Sequence, residues 1–258
     1  MKNLVEYISE SYEYTHNLSK SEQDWVNYNK GKGKSKVQPK SKKELIKIIN
    51  GSFEKGVYDL NFIDTSKIKD MSELFYLGVN LRKFDKSIQK SINISDWDVS
   101  NVTDMNHMFH KCEYFNCDLS NWDVSNVTTM NNMFDGCDNF KAKGLENWNV
   151  SRVKSAKHMF NACNKFDCDL SSWNVSNMTN MSGMFAYCWN WTGKGIENWN
   201  VSNVKDMRDM FVNCKKFNCD LSDWDISNIT RWKNMFGGCY NMTIPIWYKK
   251  LYIVKNKI

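Results

Sequence analysis

The stretch WDVSNVTDMNHMFHKCEYFNCDLSN, from Trp97 to Asn121, decides the fold because its pattern occurs six times in the chain. The tryptophan recurs every 25 or 26 residues, at Trp97, Trp122, Trp148, Trp173, Trp199 and Trp224. A Met-Phe pair keeps the same spacing, and so does a cysteine three residues after the phenylalanine. Self-similarity with a period of roughly 20–50 residues is typical of stacked-repeat proteins. We therefore expect one elongated domain in which each repeat packs on the next.

Each repeat predicts a strand, a turn, a short helix and a return loop. Trp122 and Val124 alternate with polar neighbours, as in a β-strand, and the Ser-Asn pair after them favours a turn. Apolar residues then fall three or four apart from Val127 to Cys137, which is the spacing along one side of an α-helix or 3₁₀ segment. Stacking would join these residues into buried ladders, with strands of neighbouring repeats pairing in parallel roughly 4.8 Å apart.

The repeat also resembles a known family. Its beginning, L-x-x-W-x-V-x-x-V, has the shape of the leucine-rich-repeat strand signature. With the continuation W-D-V-S-N-V-T-x-M and M-F-x-x-C, it resembles the BspA-like leucine-rich-repeat surface-protein family from about Asp59 to Met242. The resemblance implies an α/β fold: a right-handed leucine-rich-repeat-like solenoid with one short parallel strand plus a short helix or 3₁₀ turn per coil. We expect about seven coils and a surface or interaction role.

Four regions follow from this pattern. A capping box at Ser41 to Glu44 predicts a helix from Lys42 to Asn50, ended by Gly51 or Gly56, that covers the first repeat. That repeat is degenerate and has an insertion between 82 and 94. The carboxyl-terminal cap should seal the core with Ile244, Ile246, Trp247, Leu251 and Ile253. The predicted regions are an amino-terminal helix and basic flexible arm (1–40), a capping helix with the degenerate repeat (41–96), six full repeats (97–242) and a cap (243–258).

The nine cysteines follow the repeat as well. Six stand at the position after Met-Phe, and Cys117, Cys168 and Cys219 occur in alternate repeats. Such regular cysteines are typical of small buried apolar residues, so we expect reduced thiols rather than disulfides or metal ligands. No apolar run predicts a transmembrane helix, and acids near the amino terminus argue against a signal peptide. A cytoplasmic location is the default expectation, with surface or virion association as the alternative.

Catalytic signals are few. The chain has no G-x-S-x-G, Walker, H-E-x-x-H or Cys-x-x-Cys pattern, so the sequence predicts neither an enzyme nor a cofactor. His107 and His110, three apart, could approach a metal together with Asp104. Position 107 changes to Asn, Gly or Asp in other repeats, which favours a variable, solvated position over a metal site.

The predicted strand face is the candidate binding surface. Residues that flank an inward tryptophan should point outward. One outward row follows the tryptophans: Asp98, Asp123, Asn149, Asn174, Asn200 and Asp225. A second row precedes them: Asp96, Asn121, Asn147, Ser172, Asn198 and Asp223. These side chains could hold an unknown protein or glycan, or they could solvate the face and bond from coil to coil; the residues favour neither alternative.

A second candidate is the basic arm. The whole chain carries a net charge of +6, and the positive charge is concentrated between residues 30 and 55. Its lysines could bind a polyanion such as nucleic acid: Lys30, Lys32, Lys34, Lys36, Lys40, Lys42 and Lys43. No aromatic residue lies among them to stack on bases, so a solvated linker is favoured. We predict a monomeric, non-enzymatic binding scaffold. A surface adhesin or virion-associated recognition protein is the alternative, and polyanion binding is third.

Overall fold

The computed structural model describes residues 36–255, and the repeats stack on one another within this range. Repeat 1 comprises 61–96, and repeats 2 to 7 begin at the six recurrent tryptophans. The helical elements are α1 (Lys42–Glu54), a π-helical turn (Leu74–Gly78), a 3₁₀ turn (Leu81–Lys83), α2 (Lys86–Ser91), a 3₁₀ turn (Leu145–Asn147) and α3 (Ile246–Lys255). None of the helices in the described range is long and apolar enough to cross a lipid bilayer.

Neighbouring repeats pair in parallel through one residue each. Parallel bridges join Asp70–Asp104, Asp104–Thr129, Thr129–Ser155, Ser155–Asn180, Asn180–Asp206 and Asp206–Arg231. This column lies before the Met-Phe segment, whereas the sequence predicts the pairing at Trp122 and Val124. The predicted pairing at Trp122 and Val124 is therefore wrong. Trp122 N–H bonds instead to Leu119 O in the same turn, at 3.1 Å. The leucine-rich-repeat class and the right hand of the solenoid stay predictions.

The segment predicted as a helix is a series of turns. In repeat 3, Met133 N–H donates to Met130 O at 3.3 Å, a bond between residues three apart. Asn132 and Gly136 have φ angles of 55° and 75°, in the left-handed region, so a continuous right-handed helix cannot form. The turn bonds nevertheless bring apolar residues inward at the same spacing, and the predicted inward set is buried from Val127 onward.

Left-handed residues form two columns along the stack. The first has φ between 51° and 61° in every repeat: Glu73, His107, Asn132, His158, Gly183, Asp209 and Asn234. Asn, Asp, His and Gly enter this region more readily than other residues. The left-handed backbone therefore explains why position 107 varies among His, Asn, Gly and Asp. Solvation, the explanation expected from the sequence, is not needed. The second column is Lys111, Gly136, Ala162, Tyr187, Asn213 and Gly238.

Aromatic ladders occupy the core. Neighbouring rings of one ladder stack with centroids 5.2–6.0 Å apart and planes within 16° of parallel: Phe75, Phe109, Phe134, Phe160, Phe185, Phe211 and Phe236. The recurrent tryptophans form a second ladder. Each indole N–H donates, at 2.7–3.3 Å, to the backbone carbonyl three residues before the corresponding position of the preceding repeat. These bonds satisfy the one polar atom of each buried indole.

The ladder cysteines are buried, as the sequence predicts, and all nine cysteines are free. From repeat 3 onward, each ladder thiol donates to a phenylalanine carbonyl of the preceding repeat at 2.8–3.0 Å. Burial raises the pKa of the Cys188 thiol well above its usual range. The thiol therefore stays protonated and serves as a hydrogen-bond donor rather than as a nucleophile.

Helix α1 covers the open face of repeat 1. Ser41 caps it by accepting Glu44 N–H at 3.2 Å, as predicted. The helix continues to Glu54, so Gly51 lies inside it and does not end it. Its packing also explains why Gly78 stands where the other repeats have cysteine. A Cβ at Gly78 would lie 2.7 Å from Ile46 Cδ1 of α1.

The described end of the basic arm is attached to the stack. Val37 is buried, bridges Ile63 in parallel, and donates its N–H to Phe62 O at 2.9 Å. The prediction of a flexible arm over 1–40 is therefore wrong for 36–40. Residues 1–35, including the predicted amino-terminal helix, lie outside the described range.

Helix α3 closes the other end of the core in part. The Trp247 indole donates to Leu221 O at 2.7 Å and so extends the tryptophan ladder, and Tyr248 packs edge-on against Phe236 at 4.9 Å. Ile246 and Ile253, which the sequence analysis expects to seal the core, are 69% and 59% exposed. That part of the predicted cap is wrong.

Candidate binding surfaces

The predicted row after the tryptophans is exposed in every repeat: Asp98, Asp123, Asn149, Asn174, Asn200 and Asp225. Each side chain is tied to its own backbone, because its Oδ1 accepts the N–H of the serine two residues later at 3.0–3.2 Å. Such Asx turns hold the side chain in one orientation. The row is therefore a fixed array of polar groups.

Every member of the row retains hydrogen-bonding capacity toward solvent. An asparagine that uses Oδ1 in the turn still has two Nδ2 donors, and an aspartate still has Oδ2 as an acceptor. The row thus offers donors at Asn149, Asn174 and Asn200, and acceptors toward its ends. Hydrogen bonds from the turn serines lower the pKa of Asp123 and Asp225 below the usual range, so both carry a charge at neutral pH.

The row before the tryptophans is exposed as well: Asp96, Asn121, Asn147, Ser172, Asn198 and Asp223. The tryptophans between the two rows are buried. We call the two rows together the tryptophan-flanking surface. Its chemistry is polar throughout, with amide, hydroxyl and carboxylate groups.

Side-chain bonds between repeats are made mainly by a different column, although Ser172 Oγ of the tryptophan-flanking surface also donates to Glu146 O of the preceding repeat. Asn126 Nδ2 donates to Ser100 O of the preceding repeat at 2.7 Å. The same bond, at 2.7–2.9 Å, recurs at Asn101, Asn177, Asn203 and Asn228. Arg152 replaces asparagine in repeat 4 and donates to Asn126 Oδ1 at 2.6 Å. The recurrent Ser-Asn pair is the sequence signal for this bond, and the predicted turn alone does not include it.

The structure divides the predicted polyanion-binding lysines. Three lie outside the described residues: Lys30, Lys32 and Lys34. Lys42 pairs with Asp70 at 3.2 Å, and Lys36 donates to a backbone carbonyl at 3.5 Å. Lys40 and Lys43 are exposed. The described lysines of the arm therefore do not all face solvent as free cations, and Asp70 neutralises the charge of Lys42 in part.

The candidate metal residues do not converge. The rings of His107 and His110 lie 5.6 Å apart, but His110 Nδ1 faces Asp135 Oδ2 at 3.2 Å. Asp104 instead accepts Asn106 N–H at 2.8 Å within its own turn. His110 and Asp135 are 12% and 14% exposed, so their side chains pack inside the stack, and burial lowers the pKa of His107. The interpretation of these histidines as solvated is corrected.

The chemistry around Asp135 is structural. Burial alone would raise its pKa, but hydrogen bonds from His110, Asn132 and Asn161 hold the pKa below its usual range. Within residues 36–255, no group of three or more His, Cys, Asp and Glu side chains is placed to hold a metal ion.

Comparison with known proteins identifies one family. A family model described as "Mycoplasma protein of unknown function, DUF285" matches residues 44–168, 80–191 and 163–255. Overlapping matches are expected of a repeated sequence, because one model aligns to it in more than one register. No curated protein matches the chain, and no solved structure matches it.

Proposed function

Because the chain belongs to the family described as Mycoplasma protein of unknown function, DUF285, whose description names no activity, we propose a function from the geometry of its repeats. The protein is a non-enzymatic repeat scaffold that binds a protein or a glycan through the tryptophan-flanking surface. The finer assignment to BspA-like leucine-rich-repeat proteins is part of the same proposal. The fixed, exposed row of Asn and Asp side chains is the observation that carries it.

Fixed side chains favour binding for an energetic reason. Immobilising one side chain on association costs about 0.5–1.5 kcal/mol. Side chains already held by Asx turns lose less freedom, so their remaining donors and acceptors bind at a lower entropic cost. Stacked repeats commonly recognise partners over such extended faces. Peptide groups and sugar hydroxyls both offer the donors and acceptors that amides and carboxylates require.

The test must change the surface while it preserves the turns. Asn149→Asp, Asn174→Asp and Asn200→Asp together keep the Oδ1 that each turn serine needs, and three repeats already have aspartate at this position. The triple variant removes the central donors and adds three negative charges. Lysine at these positions would remove the turn acceptors and confuse loss of binding with loss of fold.

A second triple variant supplies the matched control. Lys141→Gln, Lys165→Gln and Lys216→Gln change the net charge by the same amount at exposed positions elsewhere in the repeats. Each protein is used to capture partners from source extract, with crosslinking and mass spectrometry as the readout. We expect a partner retained by the wild type and the control but lost with the Asn→Asp variant. Equal retention by all three proteins would exclude the tryptophan-flanking surface as the binding site.

A further inference from the structure

The backbone of the Met-Phe segments has one polarity through the whole stack. Four N–H groups in each of repeats 2 to 6, and three in repeat 1, donate to carbonyl oxygens of the following repeat at 2.6–3.2 Å. In repeat 3 the donors are Met130, Asn132, Phe134 and Gly136. One neighbouring chain of bonds, through Thr103 and Thr128, runs the other way. Carbonyls of these segments therefore point mainly toward repeat 1, and N–H groups toward repeat 7.

Aligned peptide groups give the two ends of the stack opposite partial charges. The physical basis is the same as in an α-helix, whose N–H end is positive and whose carbonyl end is negative. At the carbonyl end, α1 covers repeat 1, and Lys42 Nζ contacts Asp70 at 3.2 Å and Ser72 Oγ at 2.8 Å. A cation thus lies at the end where the polarity calls for one.

Within residues 36–255, the N–H end has amides without acceptors. In repeat 6, four such amides donate to repeat 7: Met207, Asp209, Phe211 and Asn213. The counterparts of the last three have no backbone hydrogen-bond acceptor among residues 36–255: Asn234, Phe236 and Gly238. Helix α3 packs against the ring of Phe236 on the core side. These three N–H groups, at alternate positions, therefore lack the carbonyl acceptors that the following repeat supplies elsewhere in the stack.

The charge of the last part of the chain points to an anionic ligand at this end. The sequence contains no Asp or Glu after Asp225, but it contains six cations: Arg231, Lys233, Lys249, Lys250, Lys255 and Lys257.

We propose that the N–H end of the stack binds an acidic peptide segment of a partner protein. Backbone carbonyls of the segment occupy the place of a further repeat and accept from Asn234, Phe236 and Gly238. Its carboxylates face the exposed Lys233 and also Arg231, which contacts Asp206 of repeat 6 at 3.7 Å. An extended peptide suits this edge, because carbonyls of alternate residues point to one side of a strand. The site is separate from the tryptophan-flanking surface and does not depend on that proposal.

A second copy of the chain fits this edge less well. Its carbonyl end is already covered by α1, through Ile46 and Lys42. Its own N–H end would place donors against donors and cations against cations. An acidic segment supplies both acceptors and opposite charge.

Amide hydrogen exchange of the full chain, measured by NMR, tests the proposal directly. The probe is a synthetic peptide of alternating Glu and Thr, about eight residues long, within the usual length of a strand. In the free protein, the amides of Asp209 and Asn213 should be protected, whereas those of Asn234 and Gly238 should exchange rapidly. Addition of the peptide should protect Asn234 and Gly238. Binding without this protection would overturn the proposal, and so would absence of binding.

A matched pair of variants checks the contribution of charge. Lys233→Gln should weaken binding of the peptide roughly 1.5–5-fold, the range of an exposed ion pair. Lys157→Gln, at the same position of repeat 4, should leave the affinity unchanged. Equal losses in the two variants would show non-specific attraction and refute a site at the N–H end.

Two further outcomes would assign the site to another occupant and overturn the partner-peptide proposal. Protection of Asn234 and Gly238 by inorganic phosphate, but not by the peptide, would identify a phosphate-binding end. Protection in the free protein that disappears when residues 1–24 are deleted would identify the chain's own terminus, which carries five acids and two lysines.

Discussion

Replacement of Trp173 by alanine should destabilise the whole stack, because this side chain supports repeats on both sides. Trp173 is 3% exposed and stacks on Trp199 with ring centroids 6.3 Å apart and planes 3° from parallel. On the other side, its indole N–H donates to Leu145 O at 2.7 Å. The variant therefore removes packing and one of the two hydrogen bonds to Leu145 O, which still accepts Trp148 N–H at 3.1 Å.

The magnitude follows from these contacts. Truncation of a buried aromatic side chain costs about 3–5 kcal/mol. Loss of one hydrogen bond costs about 0.5–1.5 kcal/mol, so Trp173→Phe should retain most of the packing and show a loss in this smaller range. Domains of similar size shift their Tm by about 2–4 °C per kcal/mol. The expected decrease in Tm for Trp173→Ala is then roughly 6–20 °C.

Urea denaturation and thermal melting, followed by circular dichroism, measure these losses. Trp189→Ala is the control, because Trp189 is 43% exposed and its ring contacts the Lys215 ammonium at 4.7 Å. A cation–π pair at an exposed site contributes about 0.5–1 kcal/mol. Equal shifts for Trp173→Ala and Trp189→Ala would refute the assignment of the core. A Trp173→Phe variant as stable as the wild type would refute the role given to the indole hydrogen bond.

The inward residues could be predicted because repetition itself carries the information. A tryptophan or a Met-Phe pair that returns every 25 or 26 residues must occupy equivalent positions, and a stack can bury equivalent apolar residues only as ladders. The local backbone could not be inferred from the same spacing. Turns closed by bonds between residues three apart bring side chains inward at intervals close to those of a helix.

The clue to the backbone lay in a polar column. His107, Asn132, Gly183 and Asp209 have little in common as surface groups, but each tolerates a left-handed conformation. Neighbours in this column also constrain each other, since a Cβ at Gly183 would overlap the imidazole of His158. Such coupling between repeats depends on three-dimensional stacking and leaves no mark on a single repeat.

The candidate surface was predicted in outline but not in its chemistry. Outward placement of Asn149 follows from the burial of Trp148 beside it. Its bond to Ser151 N–H, rather than to the next repeat, depends on the direction of the backbone after the tryptophan. Asn126, an equally polar residue two positions after Val124, makes the bond between repeats instead. Composition cannot distinguish these two roles.

The polarity of the stack was also beyond the reach of the sequence. It arises because alternate peptide groups of the Met-Phe segment donate in one direction, and two of the four donors in repeat 3, Asn132 and Gly136, have left-handed φ angles. The absence of acids after Asp225 was visible in the sequence. Only the structure shows that N–H groups of repeat 7, which follow Arg231 and Lys233 in the chain, lack acceptors among the described residues, and this combination turns a compositional bias into a candidate site.

Three other outcomes are expected. A maleimide should label Cys188 in the native protein far more slowly than Cys219, because the Cys188 thiol is buried and donates to a backbone carbonyl at 3.0 Å; similar rates in the two thiols would contradict the buried ladder. Ala162→Gly should stabilise the protein by up to about 1 kcal/mol, because Ala162 has a φ of 55°. Ala186→Gly, at the position before the left-handed Tyr187, should destabilise the protein by about 1 kcal/mol in the same urea assay. Stability changes of equal sign in the two variants would contradict the left-handed assignment of Ala162. Stability should also fall as the pH drops below about 6.5, in part through His158.

The pH effect follows from the burial of the His158 ring. Its Nδ1 has no hydrogen-bond partner among the described residues, and burial lowers the pKa of the imidazole. The unfolded chain, in which histidine titrates near about 6.5, therefore takes up the proton first, so acid favours unfolding in this window. His158→Asn retains the left-handed backbone, as Asn132 does in the same column, and should lessen the decline in the urea midpoint between pH 7.5 and 5.5. His107, whose pKa is lowered by burial too, should account for part of the remaining slope. An unchanged slope in His158→Asn would show that another group titrates.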